Sequence, residues 1–493
     1  MNHSRRALFA RVPPRLQASH PRPRVPTAIW SPAAGPVRNK EGTSASSSSG
    51  RTTSPFAATP SASSTAKRWF AAVSAVPQPS SDISWADIGF GLNHKEKTKM
   101  IVVTAKLSDN GWEKSKIEVK PYGPLSLEPS ATIINYGQGL FEGVKAYRTV
   151  NDRIVVFRPE KNSDRLASGA RALSMPPVPT ELFLEAVAAS VTENAALVPP
   201  LGKGSLYLRP ILFGSGPGLG VSPSTEYHFL IYVSPVGEYF SGPAATQGAR
   251  MKIERDHSRA AHNGNGGTKA AGNYAPCFKY QKQAKEEGYT DIIYMDNCNG
   301  QTAEEVACAN LFVVTKDKIC TPPLGRILPG VTRMTIMQLI REMKDQLNGR
   351  ELVEGDVTMK HFAEAEEVFC SGTAAVISPI CHVGESVEGS KHQYNYKPMG
   401  PVTTLLRETL TGIQAERLPD AHNWLRNPFD LDAFRRVDAS GRNPSLPERT
   451  DDKDILSLLA QQKAQEKQAA AADQRAEDKK PAAVKKEPVS ASS

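Results

Sequence analysis

The chain has 493 residues, 60 Lys+Arg against 51 Asp+Glu, six cysteines and 39% hydrophobic content, which is enough for two or three domains around a sizeable core. No run of eighteen apolar residues occurs, and this argues against a membrane-spanning helix. The net charge of +9 suggests nucleic acid at first, but residues 1–80 hold eleven bases and one acid, Glu41, and carry +10 on their own. The rest of the chain is close to neutral, which removes most of the case for a nucleic-acid partner.

The first eighty residues are rich in Arg, Ser, Pro and Ala and nearly free of acids. They read as an organelle-targeting presequence and are left out of fold reasoning. The Ser44–Ser49 cluster favours a plastid, with the mitochondrion as the alternative. From Ser81 the texture is globular. Short runs dominated by β-branched and aromatic residues predict strands at Ile154–Phe157, Ser205–Phe213 and Tyr227–Val233, and helical patterns predict helices over Pro159–Ser174 and Glu181–Leu197. Gly237–Gly248 reads as a linker. Beyond it a helix is predicted over Tyr274–Glu287, strands at Asp291–Met295 and Leu311–Val314, and a helix over Val331–Lys344. A strand pair around Glu367–Ser378 and a helix near Val402–Ala415 follow. Strands and helices alternate without a strict repeat, so the expected fold is mixed α/β or α+β. The expected organisation is a small α/β domain at 81–240, a larger domain at 241–425, and a polar tail at 426–493 with one short helix near Ile455–Ala470.

All six cysteines (277, 298, 308, 320, 370 and 381) fall in the second half, with no CxxC pair and no His-associated zinc spacing. Free buried thiols and no metal site are the expectation.

Five clusters could carry chemistry. In His262–Tyr274, Lys269 sits in a glycine-rich stretch just before a predicted helix that Asn273 could cap, with Pro276 in its first turn. A lone lysine of this kind is usually just solvated. Glu304-Glu305 leads into the apolar run ending at Val314; a surface turn is the ordinary meaning. Leu328-Pro-Gly-Val331-Thr332-Arg333 opens a helix, whose free N–H groups suit a phosphate. Ser371-Gly-Thr373-Ala374 is a small-residue turn bearing a hydroxyl. Arg158–Arg165 spaces basic residues along a helix start.

Together these clusters resemble the branched-chain amino-acid aminotransferases, class IV enzymes of pyridoxal-phosphate fold type IV, and look closest to their plant organellar members. The class pattern runs from Glu305 through Asn310-Leu311-Phe312 and Thr321 to Leu328–Arg333. Tyr136–Gly143 with Lys145–Arg148, Ser205–Pro210, Phe229–Gly237 and Ser371–Ala374 complete the match, which covers residues 85–425. The resemblance implies a two-domain fold like that of D-amino-acid aminotransferase, with a small N-terminal and a larger C-terminal domain. It implies pyridoxal 5'-phosphate as cofactor, with Lys269 as its covalent attachment point and Tyr274 at its phenolic oxygen. Glu305 would face its ring nitrogen, chosen over Glu304 by its position five before Asn310. Arg165, Val331, Thr332 and Thr373 would hold its phosphate. Phe141, Tyr207, Arg209 and Ala374 would meet the substrate, Arg209 at glutamate's distal carboxylate. A homodimer and ping-pong exchange between branched-chain amino acids and 2-oxoglutarate are implied as well. Another class IV enzyme, a D-amino-acid aminotransferase or an aminodeoxychorismate lyase, is the alternative.

The chain departs from the pattern in three places. Gly266-Gly267-Thr268 directly precedes the lysine where plant members carry a longer stretch. Ala307-Cys308-Ala309-Asn310 replaces Ser-Ser-Cys-Asn. Ala375–Ser378 stands where some members carry a redox-sensitive CxxC.

Overall fold

A computed structural model of the chain describes residues 76–436 apart from 110, 241, 297 and 386–389. Two sheets organise it. The first is antiparallel throughout and is built from β1 (Lys99–Lys106), β2 (Glu118–Pro121), β3 (Gly139–Phe141), β4 (Val144–Arg148), β5 (Ile154–Phe157), β6 (Ser205–Gly214) and β7 (Glu226–Val236). The second contains β8 (Ala249–Glu254), β9 (Asp291–Met295), β10 (Thr302–Val306), β11 (Asn310–Val314), β12 (Lys318–Thr321), β13 (Glu351–Glu354), β14 (Val357–Thr358), β15 (Glu367–Gly372), β16 (Val376–Gly384) and β17 (Gln393–Asn395). It runs β13-β12-β11-β15-β16-β8-β9-β10-β14, with β17 against β16. The pairs β12·β13, β16·β8 and β8·β9 are parallel and the rest antiparallel, so the fold is mixed α/β.

Local sequence explains the main elements. Phe183, Leu184 and Val187 of the helix Thr180–Thr192 are buried, and Phe183 stacks on Phe229 of β7 at 5.7 Å between ring centroids. That apolar face joins helix to first sheet. In the second sheet β9, β10 and β11 are buried at every position, as strands covered on both faces should be.

Three expectations about element ends need correction, the first being the helix over Glu181–Leu197, which stops at Thr192 before a separate turn at Ala195–Leu197. The predicted helix Tyr274–Glu287 starts three residues later, at Cys277–Glu286, with Pro276 as N-cap. Asn273 does not cap it; its amide donates to the carbonyls of Asn265 (2.8 Å) and Thr268 (2.9 Å). It therefore ties the glycine-rich loop to the turn bearing Lys269.

The polar tail does not begin at residue 426. Leu425–Arg426 forms β18, which pairs with β5 and completes the edge of the first sheet. The helix Leu431–Arg435 follows, capped by Asp430, whose carboxylate accepts from Ala433 N at 3.0 Å. Its Phe434 is 1% exposed and packs in the core with the helix Thr180–Thr192. The stretch reads as polar because of Arg426 and Arg435, but each meets an acid: Arg426 lies 3.7 Å from Glu160, and Arg435 pairs with Glu185. Composition alone cannot separate a paired charge from a solvated one. The suggested helix near Ile455–Ala470 and nearly all of the presequence lie outside the described residues.

Candidate active site

A cavity of about 260 Å³ is lined by all eleven residues that the resemblance singled out: Phe141, Arg165, Tyr207, Arg209, Lys269, Tyr274, Glu305, Val331, Thr332, Thr373 and Ala374. They come from both sheets. The Lys269 loop is anchored to the first sheet by the Phe141 N–H, which donates to the Lys269 carbonyl at 3.2 Å, and by a bridge between Leu140 and Ala270. Gly266 has to be glycine there, because a Cβ would fall 2.1 Å from the Arg326 carbonyl.

Lys269 Nζ donates to the Tyr274 hydroxyl at 3.2 Å and lies 4.6 Å from the centroid of Phe141. Burial pushes its ammonium down to about 7, with Arg165 and Arg209 adding to the shift and Glu142 opposing it. Its neutral form is therefore far more populated near pH 7 than that of an ordinary lysine. Burial also raises the Tyr274 phenol.

Glu305 is buried. One oxygen accepts from Leu328 N at 3.0 Å and pairs with Arg259, and the other accepts from the Asn310 amide at 2.9 Å. Burial raises this carboxyl, while Arg259 and the Leu328 N–H favour the charged form. Arg259 shows the reverse balance: burial lowers it, and the Glu305 charge outweighs this so that it stays cationic. Its guanidinium also donates to the Gly266 carbonyl at 2.9 Å and to that of Arg326 at 3.1 Å. One arginine thus holds the carboxylate, the lysine loop and the 324–328 turn together.

The far end of the cavity is the N-terminus of the helix Val331–Glu342, capped by Gly330. Its first N–H groups have no partner within the helix and carry its positive dipole end. A Cβ on Gly330 would sit 2.0 Å from Asn310 Oδ1, so that cap must be glycine. Arg165 is tied to Glu142 by two hydrogen bonds, Nε to Oε1 at 2.7 Å and Nη2 to Oε2 at 2.6 Å, and its Nη1 donates to the Pro329 carbonyl at 3.0 Å. Two of its five N–H groups remain for an anion. Ser371 Oγ is buried in the same lining without a hydrogen-bond partner among the described residues. Arg209 lies over Phe141 at 4.9 Å and Tyr207 at 5.3 Å and donates to the Tyr207 hydroxyl at 3.4 Å. Its Nε has no protein partner among the described residues.

Several functional neighbours escaped the sequence reading. Glu142, which engages Arg165, lay inside a quoted motif without a role. Arg259, Phe90 and Tyr239 gave no signal, because each comes from an irregular segment distant in sequence. Conversely, two pattern positions prove to be scaffold: Arg333 donates to Thr321 Oγ1 (3.3 Å) and the Pro322 carbonyl (2.8 Å), not to the cavity. The cysteines are not uniformly buried: Cys298 and Cys308 are exposed, and Cys308 faces the cavity with its sulfur 2.8 Å from the Tyr239 hydroxyl.

This fold and this lining define a class IV aminotransferase. Residues 139–383 match the model of that family, described as amino-transferase class IV. Among curated proteins, the chain is 41% identical over 348 residues to branched-chain-amino-acid aminotransferase 3, chloroplastic, of Arabidopsis thaliana, covering 70% of this chain and 81% of that one. It is 39% identical over 345 residues to the mitochondrial aminotransferase 1 of the same plant, covering 70% and 86%. The solved branched-chain amino acid aminotransferase of Escherichia coli matches with a TM-score of 0.54 and 27% identity, over 63% of this chain and 97% of that one. The chain belongs to the branched-chain-amino-acid aminotransferase family.

Proposed function

We propose that the chain moves an amino group between L-leucine, L-isoleucine or L-valine and 2-oxoglutarate by a ping-pong cycle, with pyridoxal 5'-phosphate in the 260 Å³ cavity. The observation that carries this reading is the buried Lys269 amine, hydrogen-bonded to Tyr274 at 3.2 Å and opening on the same cavity as the buried Glu305–Arg259 pair. The lining suits the cofactor chemically: a helix N-terminus whose glycine cap leaves its N–H groups free of any side-chain cap, two spare N–H groups on Arg165 and the Ser371 hydroxyl for a phosphate, and a fixed carboxylate for a ring nitrogen.

When bound, the cofactor supplies an electron sink for charge developing at the substrate Cα. Lys269 would be the attachment point, and its Nζ, buried and hydrogen-bonded to Tyr274, would take and return the substrate Cα proton, which a pKa lowered to about 7 favours. Glu305, fixed by Arg259, Asn310 and Leu328 N, holds a proton on the ring nitrogen. Tyr274 orients the phenolic oxygen. The N–H groups of Val331 and Thr332, the Thr373 hydroxyl and Arg165 position the phosphate. Phe141 and Tyr207, with Phe90 and Tyr239, exclude water around a branched side chain. Such a wall separates side chains differing by one methylene by only about 1–3 kcal/mol. Arg209 receives the distal carboxylate of glutamate, and the Thr373-Ala374 backbone the α-carboxylate. The test is 2-oxoglutarate-dependent glutamate formation from L-leucine by the loaded chain. Turnover of D-alanine or aminodeoxychorismate in place of L-leucine overturns the reading in favour of a different class IV enzyme.

The organelle and the assembly are proposals of the same kind. The acid-poor first eighty residues act as a presequence, for a plastid in preference to a mitochondrion. The chain works as a homodimer, supported by the exposed apolar side chains Leu219 (93%) and Val221 (90%), with the exposed Tyr136 donating to the Leu219 carbonyl. Substrates are small molecules, and nucleic acid and membrane are not partners. Among the described residues no helix is long and apolar enough to cross a membrane, and no group of three or more His, Cys, Asp or Glu is placed to hold a metal ion.

A further inference from the structure

A second cavity, of about 500 Å³, shares Ala374 with the first. Its lining carries Lys145, Arg148, Lys203, Arg407 and Arg417 against one acid, Glu238. Two of the arginines are already engaged. Arg148 donates to the Val198 and Ala195 carbonyls, each at 3.0 Å, and Arg407 donates to the Ile377 carbonyl at 3.2 Å and pairs with Glu238 at 3.3 Å. That ion pair leaves the single acid already engaged.

Lys145 differs in being buried and resting on a neutral group alone. It is 5% exposed on β4, its Nζ donates to the Ala374 carbonyl at 3.1 Å, and it forms no ion pair among the described residues. A buried ammonium resting on a neutral carbonyl is unusual, since buried lysines are normally matched by an opposite charge. Burial pushes it down to about 8, with Glu238 opposing and Arg407 adding to the shift. The turn it holds is itself constrained: Val376 has φ +55°, rare for a β-branched residue.

We propose that this cavity binds a small oxyanion, carboxylate or phosphate, which gives Lys145 its counter-charge and draws it from the Ala374 carbonyl. Lys145 is then a positioning residue. With the anion present the Thr373-Ala374 turn relaxes, and its hold on a substrate α-carboxylate weakens. Binding stands independently of the catalytic reading; only the consequence for substrate rests on it.

The test titrates inorganic phosphate into the full chain loaded with pyridoxal 5'-phosphate, at constant ionic strength made up with chloride. The fluorescence of Trp85, which lines the cavity, reports occupancy. One saturable site per chain is expected, with the KM for L-leucine raised several-fold at saturation and kcat within twofold. The double variant K203E/R417E should bind phosphate at least tenfold more weakly while keeping the wild-type far-UV spectrum, and Lys145→Met should lose the KM response. A signal that chloride reproduces, or equal phosphate affinity in wild type and K203E/R417E, overturns the site. Saturable binding that leaves KM untouched overturns the coupling through Ala374. Were the chain to transaminate nothing, the fluorescence titration would still decide the site.

Discussion

Glu304 and Glu305 are adjacent on β10, both buried, and face different worlds. Glu305 looks into the Lys269 cavity, where Arg259, Asn310 and Leu328 N hold it. Glu304 lines a separate cavity of about 230 Å³ with His262, Arg326 and Asp356. Arg326 Nε lies 3.1 Å from its Oε1, yet neither Glu304 oxygen has a hydrogen-bond partner among the described residues. Burial pushes Glu304 up to about 7, with Arg326 and Arg259 opposing. Strand alternation alone separates the two: one carboxylate is locked in position by its three partners, the other is left without a hydrogen bond among the described residues.

The sharpest test of the front face is Lys269→Ala. Turnover should fall at least ~10³-fold, and borohydride should no longer fix the cofactor to the chain, as read by intact mass. A retained adduct assigns the attachment elsewhere. In the wild type, uptake of pyridoxal 5'-phosphate by stripped protein should rise with pH through about 7 and then level off, because the depressed amine is already neutral there. A rise continuing toward pH 10 breaks that assignment.

Glu305→Gln comes next, with an expected loss of about 10²-fold or more in the L-leucine half-reaction followed by stopped flow. Arg209→Met should cost roughly 10–100-fold in kcat/KM for 2-oxoglutarate and far less for L-leucine, since only the former carries a second carboxylate. Equal losses place Arg209 elsewhere in the cycle.

Glu304→Gln is the smallest. Its turnover should stay within about threefold of wild type; a loss like that of Glu305→Gln erases the distinction between the faces. Its signature lies in stability. A carboxyl whose pKa is raised on folding binds more protons in the native than in the unfolded chain between about 4.5 and 7, so its contribution falls as pH rises through that window. Urea midpoints should show this decline in the wild type and a flatter profile in Glu304→Gln.

The residues that gather around the first cavity were legible because the resemblance rests on fixed residue types at fixed spacings: Lys269, Tyr274, Glu305, and the Pro-Gly helix start at Val331. Strands with dense apolar content, such as Ser205–Gly214 and Glu226–Val236, were legible for the same reason that they are buried. The partners that tune those groups were not. Arg259 reaches Glu305 only through the folding of an irregular loop, and no local pattern announces such a meeting. Lys145 looks in sequence like any strand lysine; its burial depends on the Ala374 turn more than two hundred residues away. Asn273 was misread because its amide serves the loop behind it instead of the helix ahead.

The closing of the first sheet by β18 has a consequence for how the protein is made. A chain emerging amino-terminus first presents β1 to β7 long before residues 425–436 exist outside the ribosome. Until then β5 lacks its outer neighbour and the helix Thr180–Thr192 lacks Phe434, so an unpaired strand border and an apolar socket stand open together. The segment 425–436 acts as a latch on the first sheet, and truncation just before Leu425 should yield a protein prone to self-association.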